Sequence, residues 1–157
     1  MRWLSLLAIT AMVVPAQDNA LPGFNQWMAD TLKPYVADLA QEAAGDPHRF
    51  AVRQLADYAN DSFLLVHREA DGQVEWHETQ ADVFFVQSGT ATLVVGGKLV
   101  NGETVGPHEK RNGSIVGGAR RKISAGDIVR IPAKVPHQVL LEGSNSFTYF
   151  VVKVKGY

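Results

Sequence analysis

Polar and apolar residues change rhythm twice along this chain. Trp3 to Val14 is a nearly unbroken apolar run, interrupted only by Ser5 and Thr10. From Phe24 to Ala44 apolar side chains return every three or four residues, at Phe24, Trp27, Met28, Leu32, Tyr35, Val36 and Leu39, which is the spacing of one helix face. Pro34 falls inside that pattern and removes a backbone donor, so the stretch predicts two short helices with a break between them. Gly45-Asp46-Pro47 ends the section. A helical segment of this kind is expected to pack on the outside of whatever follows.

After residue 48 the rhythm becomes that of strands. Arg49 to Leu55 leans that way, and Ser62 to Arg68 is β-rich, with Ala70-Asp71-Gly72 as a hairpin turn into Gln73 to His77. Ala81 to Gln87 and Thr90 to Val95 form two further runs joined at Ser88-Gly89. Gly96-Gly97, Asn101-Gly102 and Ala125-Gly126-Asp127 are turn signals, the last leading into Ile128 to Ile131. Val135 to Leu141 and Phe147 to Val154 complete the set. Short strands punctuated this regularly predict an all-β sandwich or barrel, not a βαβ fold. Between Asn101 and Ser124 lies a glycine-rich, charged insertion expected to form a long surface hairpin, either a decoration or a lid. The organisation is therefore a leader (1–16), a linker and helical segment (17–48) and one β domain (49–157).

Composition narrows the class. The 157 residues suit one domain with one core, and 46% hydrophobic against 20% charged is an ordinary globular balance. The net charge of -1, with both signs interspersed, gives no basic surface for nucleic acid. Arg120-Arg121-Lys122 is too short to supply one. Arg2, the apolar run and the small residues of Val14-Pro15-Ala16 read as a cleavable export signal, and the run is shorter than the roughly 20 residues a membrane-spanning helix needs. The expected address is secreted or periplasmic, with no membrane attachment after cleavage. There is no cysteine, so any metal must be held by nitrogen and oxygen.

Five histidines occur, at 48, 67, 77, 108 and 137. Strand side chains alternate faces, so Glu75 and His77 point the same way. A turn near Thr79-Gln80 allows Asp82 to face the same interior, and Pro132 and Pro136 bend the chain so that His137 can arrive from a separate strand. Two imidazoles and two carboxylates meeting at one point suit a divalent transition metal: Mn, Fe, Ni, Co or Zn. The bland alternative is four polar residues lining a solvated barrel mouth. Phe84 and Val86 share the parity of Asp82 and are candidates for the apolar wall of a small-molecule pocket. His67 is a further candidate for that lining, or a hydrogen-bonded structural histidine. Trp76, Phe85 and Tyr149 read as core aromatics, His48 as a solvated loop residue, and His108 to Arg111 as a solvent-facing loop.

Two frames in this order resemble the cupins, a superfamily of double-stranded β-helix (jelly-roll) barrels. Gly126, Pro132 and His137 match the second cupin motif, with Lys134 at its internal glycine and Leu141 at its final asparagine. In the first motif His77 and Gly89 match, Glu75 stands at the first histidine, Asp82 stands at the glutamate, and Gly72 is one residue out of step with the opening glycine. Cupins commonly hold a divalent ion with three His and one Glu, so the resemblance implies a variant set here: Glu75, His77, Asp82 and His137. It implies a metal-dependent enzyme of dioxygenase, isomerase or lyase type, with Glu75 available as a general base. It equally admits a barrel that binds or senses a small molecule without turnover. A homodimer is the partner the family suggests.

Overall fold

The alternation read after residue 48 does become strand, but its ladders are longer and more entangled than a string of hairpins. The computed structural model describes residues 21–157, and the expected leader lies outside the described residues. Among them there is one helix, α1 (Ala29–Gly45), where two short ones were expected. Pro34 sits near its N-terminal end, so it deletes one intrahelical hydrogen bond and leaves the following turns to propagate. Phe24 to Met28 stay outside the helix, with Met28 as its extended N-cap. Trp27 instead packs its ring on Phe63 and Phe150, 5.2 and 6.1 Å away between centroids.

The strands are β1 (Phe50–Asp57), β2 (Asp61–Arg68), β3 (Glu75–His77), β4 (Gln80–Val95), β5 (Lys98–Val100), β6 (Glu103–Gly106), β7 (Glu109–Arg111), β8 (Ser114–Val116), β9 (Ala119–Ser124), β10 (Ile128–Ile131), β11 (His137–Leu140) and β12 (Phe147–Lys155). One wall runs β1-β2-β12-β4-β10, the other β9-β4-β11-β3-β7-β6, and β5 pairs only with β8. Strand β4 belongs to both walls. Its first half pairs with β12 and β10, its second with β9 and β11. The change of wall falls at Gly89, whose φ of +82 and tight approach to the Ser146 carbonyl leave no room for a Cβ. The two runs read on either side of Ser88-Gly89 are thus one strand with a corner in it.

Two expectations about connections need correcting. Ala70-Asp71-Gly72 does not close a hairpin, because both edges of β2 are already taken, by β1 and β12. The chain crosses instead to the other wall, where β3 pairs with β7 and β11. The 101–124 stretch is not a free surface hairpin either. Its β6–β7 ladder fills the open edge of β3, and β9 fills the edge of β4.

The core lies between the walls and draws on both: Val66, Phe84, Val86 and Tyr149 from one, Leu93, Ile123 and Val139 from the other. On the outside, Leu39 and Ala43 of α1 pack on Ala51 and Leu65 of β1 and β2. Full burial of Leu39 contributes about 2 kcal/mol towards holding the helix there. No helix among the described residues is long and apolar enough to cross a membrane.

Candidate metal centre

Alternation on β3 turns Glu75 and His77 to the same side, and the pairing of Glu75 with His137 sets the β11 imidazole beside them. The turn before His137 is fixed by β3 itself. The Lys134 N–H donates to the His77 carbonyl at 2.7 Å, and Trp76 Nε1 donates to the Lys134 carbonyl at 3.0 Å. Lys134 takes a left-handed φ of +65, the conformation a glycine adopts without strain. Asp82 enters from β4. One donor atom from each of Glu75, His77, Asp82 and His137 lies within 4.8 Å of all the others, so the structure does bring the four residues together.

The imidazoles present the same nitrogen inward. His77 Nδ1 lies 2.7 Å from Glu109 Oε2, and its Nε2 is 3.3 Å from Asp82 Oδ2 and 3.6 Å from Glu75 Oε2. His137 Nδ1 lies 3.1 Å from the Val135 carbonyl. Carbonyls and carboxylates only accept, so in neutral imidazoles these contacts place the proton on Nδ1 and leave the Nε2 lone pair facing the centre. His137 Nε2 is buried with no hydrogen-bond partner, 3.5 Å from Asp82 Oδ2. A buried acceptor left without a donor is costly, and a metal ion satisfies it. The donor set therefore fits a divalent cation.

Two residues that sequence patterning did not single out complete the centre. Glu109, on β7, also accepts from Gln80 Nε2 at 3.2 Å and pairs with Arg111 at 3.1 Å. The expected solvent-facing loop at 108–111 is therefore part strand and part site. Only His108 in it is exposed, beside Glu78 at 2.6 Å. Lys153, on β12, faces Asp82 directly across the ladder. Its Nζ donates to Asp82 Oδ1 and Oδ2 at 2.9 and 3.1 Å and lies 3.1 Å from His77 Nε2. A lysine at the inward parity of Tyr149 and Val151 is the signal in the sequence that marks it.

The electrostatics hold the acids ionised. Burial pushes the Asp82 carboxyl up, but hydrogen bonds from His137 and His77, donated when those rings carry a second proton on Nε2, together with the charge of Lys153 outweigh it, leaving the group far below the usual carboxylate range. Burial likewise raises Glu75, and the fields of His137 and His77 in their protonated forms, with those of Arg111 and Lys153, reverse the effect and lower it.

Beside the centre opens a cavity of about 560 Å³, lined by Glu75, Asp82, Lys153 and Arg111 on one side and by Phe50, Leu64, Val66, Phe84 and Val151 on another. Phe84 lies in the lining. Val86 does not; it is buried in the core between the walls. His67 does not either, because it has the opposite parity from Val66, and it hydrogen-bonds Thr148 Oγ1 at 2.8 Å on the outer face. His48, expected in solvent, is exposed at the cavity's edge.

No family model and no curated protein sequence matches the chain. Among solved structures, an uncharacterized conserved protein with a double-stranded β-helix domain from Klebsiella pneumoniae superposes with a TM-score of 0.55. The two share 16% identity, over 77% of this chain and 87% of that one. The chain has the double-stranded β-helix fold of the cupins. The TT1209 protein from Thermus thermophilus is similar in the same way, with a TM-score of 0.54 at 17% identity, over 76% of this chain and 93% of that one. At such identities the likeness carries the cupin fold and says nothing of the chemistry.

Proposed function

We propose that this chain is an exported metal-dependent enzyme of cupin fold, acting on a small organic molecule in the cavity beside the metal. One observation carries the reading. Two imidazoles from distant stretches aim Nε2 at a shared point, each fixed through Nδ1, and one of those nitrogens is buried without a partner. His77, His137, Asp82 and Glu75 would hold the ion. A divalent ion there supplies Lewis acidity to a bound oxygen or nitrogen. The protein's own residues orient that ligand: Phe84 and its apolar neighbours exclude water from one flank, and Arg111 and Lys153 supply positive charge on the other. Glu75 is held ionised and close to Arg111 at 3.4 Å, which makes it a better ligand than a general base, since a lowered pKa weakens basicity. The fold leaves dioxygenase, isomerase and lyase chemistry open.

The test is metal content. Protein purified without chelator is expected to carry about one divalent transition ion per chain by mass spectrometry. His137→Ala and His77→Ala should each lose it. Wild-type protein free of stoichiometric metal sinks the reading.

A second reading is favoured by Lys153, whose ammonium already neutralises Asp82. In it the barrel is a metal-free module that binds a small molecule without turnover. Lys153→Met separates the two. If metal belongs in the site, removing the competing ammonium raises metal affinity. If it does not, the variant takes up no metal and melts at a lower temperature, because Asp82 is left buried and unpaired.

A further inference from the structure

Among the described residues, Arg68 is the one strongly buried cation of the cavity that the metal centre does not use. It is 4% exposed and lines the cavity from the end of β2. No carboxylate among those residues pairs with it, and its Nε is buried with no hydrogen-bond partner. A guanidinium cannot shed its proton to escape such a setting, and burying an uncompensated charge is costly. The surroundings nevertheless hold it in place. Its Nη2 donates to the Tyr149 hydroxyl at 3.3 Å, and its Cζ lies 4.8 Å from the centre of the Phe50 ring. Gly72 makes room for it, since a Cβ at that position would stand 2.6 Å from Arg68 Nη1.

Tyr149 completes the arrangement. Burial pushes its phenol up, so it stays protonated at neutral pH. Its oxygen accepts from Arg68, which leaves its own O–H free to donate into the cavity it lines. Asp71 also lines the cavity, but one of its oxygens accepts from the Leu141 N–H at 2.7 Å. A planar fork of donors, a hydroxyl beside it and an apolar flank form a receptor for a planar anion on an apolar body.

We propose that the molecule bound in this cavity is an organic carboxylate with an aliphatic or aromatic body, and that Arg68, assisted by Tyr149, determines that specificity. The assignment deepens the reading of the cavity as the ligand site, but it stands on residues outside the metal set. The carboxylate binds at the Arg68 end, and its body lies along Phe50, Leu64 and Val66 towards Asp82 and Lys153.

The test is calorimetric titration of the full chain with benzoate and hexanoate against benzamide and hexanamide, alongside a cobalt(II) titration of the same samples. The acids are expected to bind about 10- to 100-fold more tightly than their amides. Arg68→Met should abolish that preference, Arg68→Lys should keep part of it, and Tyr149→Phe should weaken acid binding without removing the preference. Arg68→Met removes an uncompensated buried charge, so thermal melting of the variant should be undiminished, and its cobalt binding should match wild type. Acids that bind no better than amides, acids that do not bind, or a preference that survives in Arg68→Met each overturn the assignment. Loss of cobalt binding in wild type, with the acid preference intact, overturns the metal reading and leaves this one standing.

Discussion

Glu109 shows how much of the centre depends on a residue outside the four-residue donor set. Its carboxylate holds His77 Nδ1 at 2.7 Å and so sets both the ring plane and the inward lone pair. Glu109→Gln keeps the shape but replaces the charged acceptor. It is expected to weaken metal binding about 10- to 100-fold while leaving the fold intact, as competition with a chelating dye will measure. Parity placed Glu75 and His77 on one face, and the turn near Thr79-Gln80 let Asp82 join them, because both signals are local. Glu109 and Lys153 escaped that logic because each acts through a ladder partner far away in sequence, β3 for one and β4 for the other. Arg68 shares the parity of Leu64 and Val66, so its inward direction could be read, but the missing counter-charge could not.

At the scale of elements, the strands were legible wherever β-branched and aromatic residues alternate, whereas their connections depended on which edges were free. The expected hairpin after β2 failed for that reason, and the insertion was recruited for the same one. The break predicted at Pro34 failed because a proline in the early turns of a helix disturbs little behind it. Lys134 is the element-level anomaly. It takes a left-handed turn in the step that delivers His137, with its N–H bound to the carbonyl of His77. Lys134→Gly relieves that backbone cost and is expected to stabilise the protein by about 1 kcal/mol, with metal affinity unchanged. Urea unfolding followed by circular dichroism measures the gain, and no change or a loss would contradict the account of the turn.

For the whole molecule, acid is the informative perturbation. Asp82 ionises far more readily in the folded protein than an unfolded aspartate, which titrates at about 3.9. A depressed folded pKa contributes stability that is present above the unfolded value and is lost as the pH falls through the window beneath it. Chelator-treated protein should therefore lose melting temperature as the pH falls below about 4. Asp82→Asn should start lower at neutral pH and fall less steeply. Parallel slopes for the two proteins would remove Asp82 from the explanation.

The position of β12 carries a consequence for how the molecule is made. That strand is encoded near the end of the described chain, yet it lies in the interior of its wall, between β2 and β4. As the polypeptide emerges from the ribosome, neither neighbour can complete its ladder until residues 147–155 have been synthesised, so the barrel cannot close before β12 is made. Lys153 and Tyr149 arrive with that strand. A truncated chain lacking it would therefore display open, sticky strand edges, and would possess neither the ammonium beside Asp82 nor the hydroxyl beside Arg68.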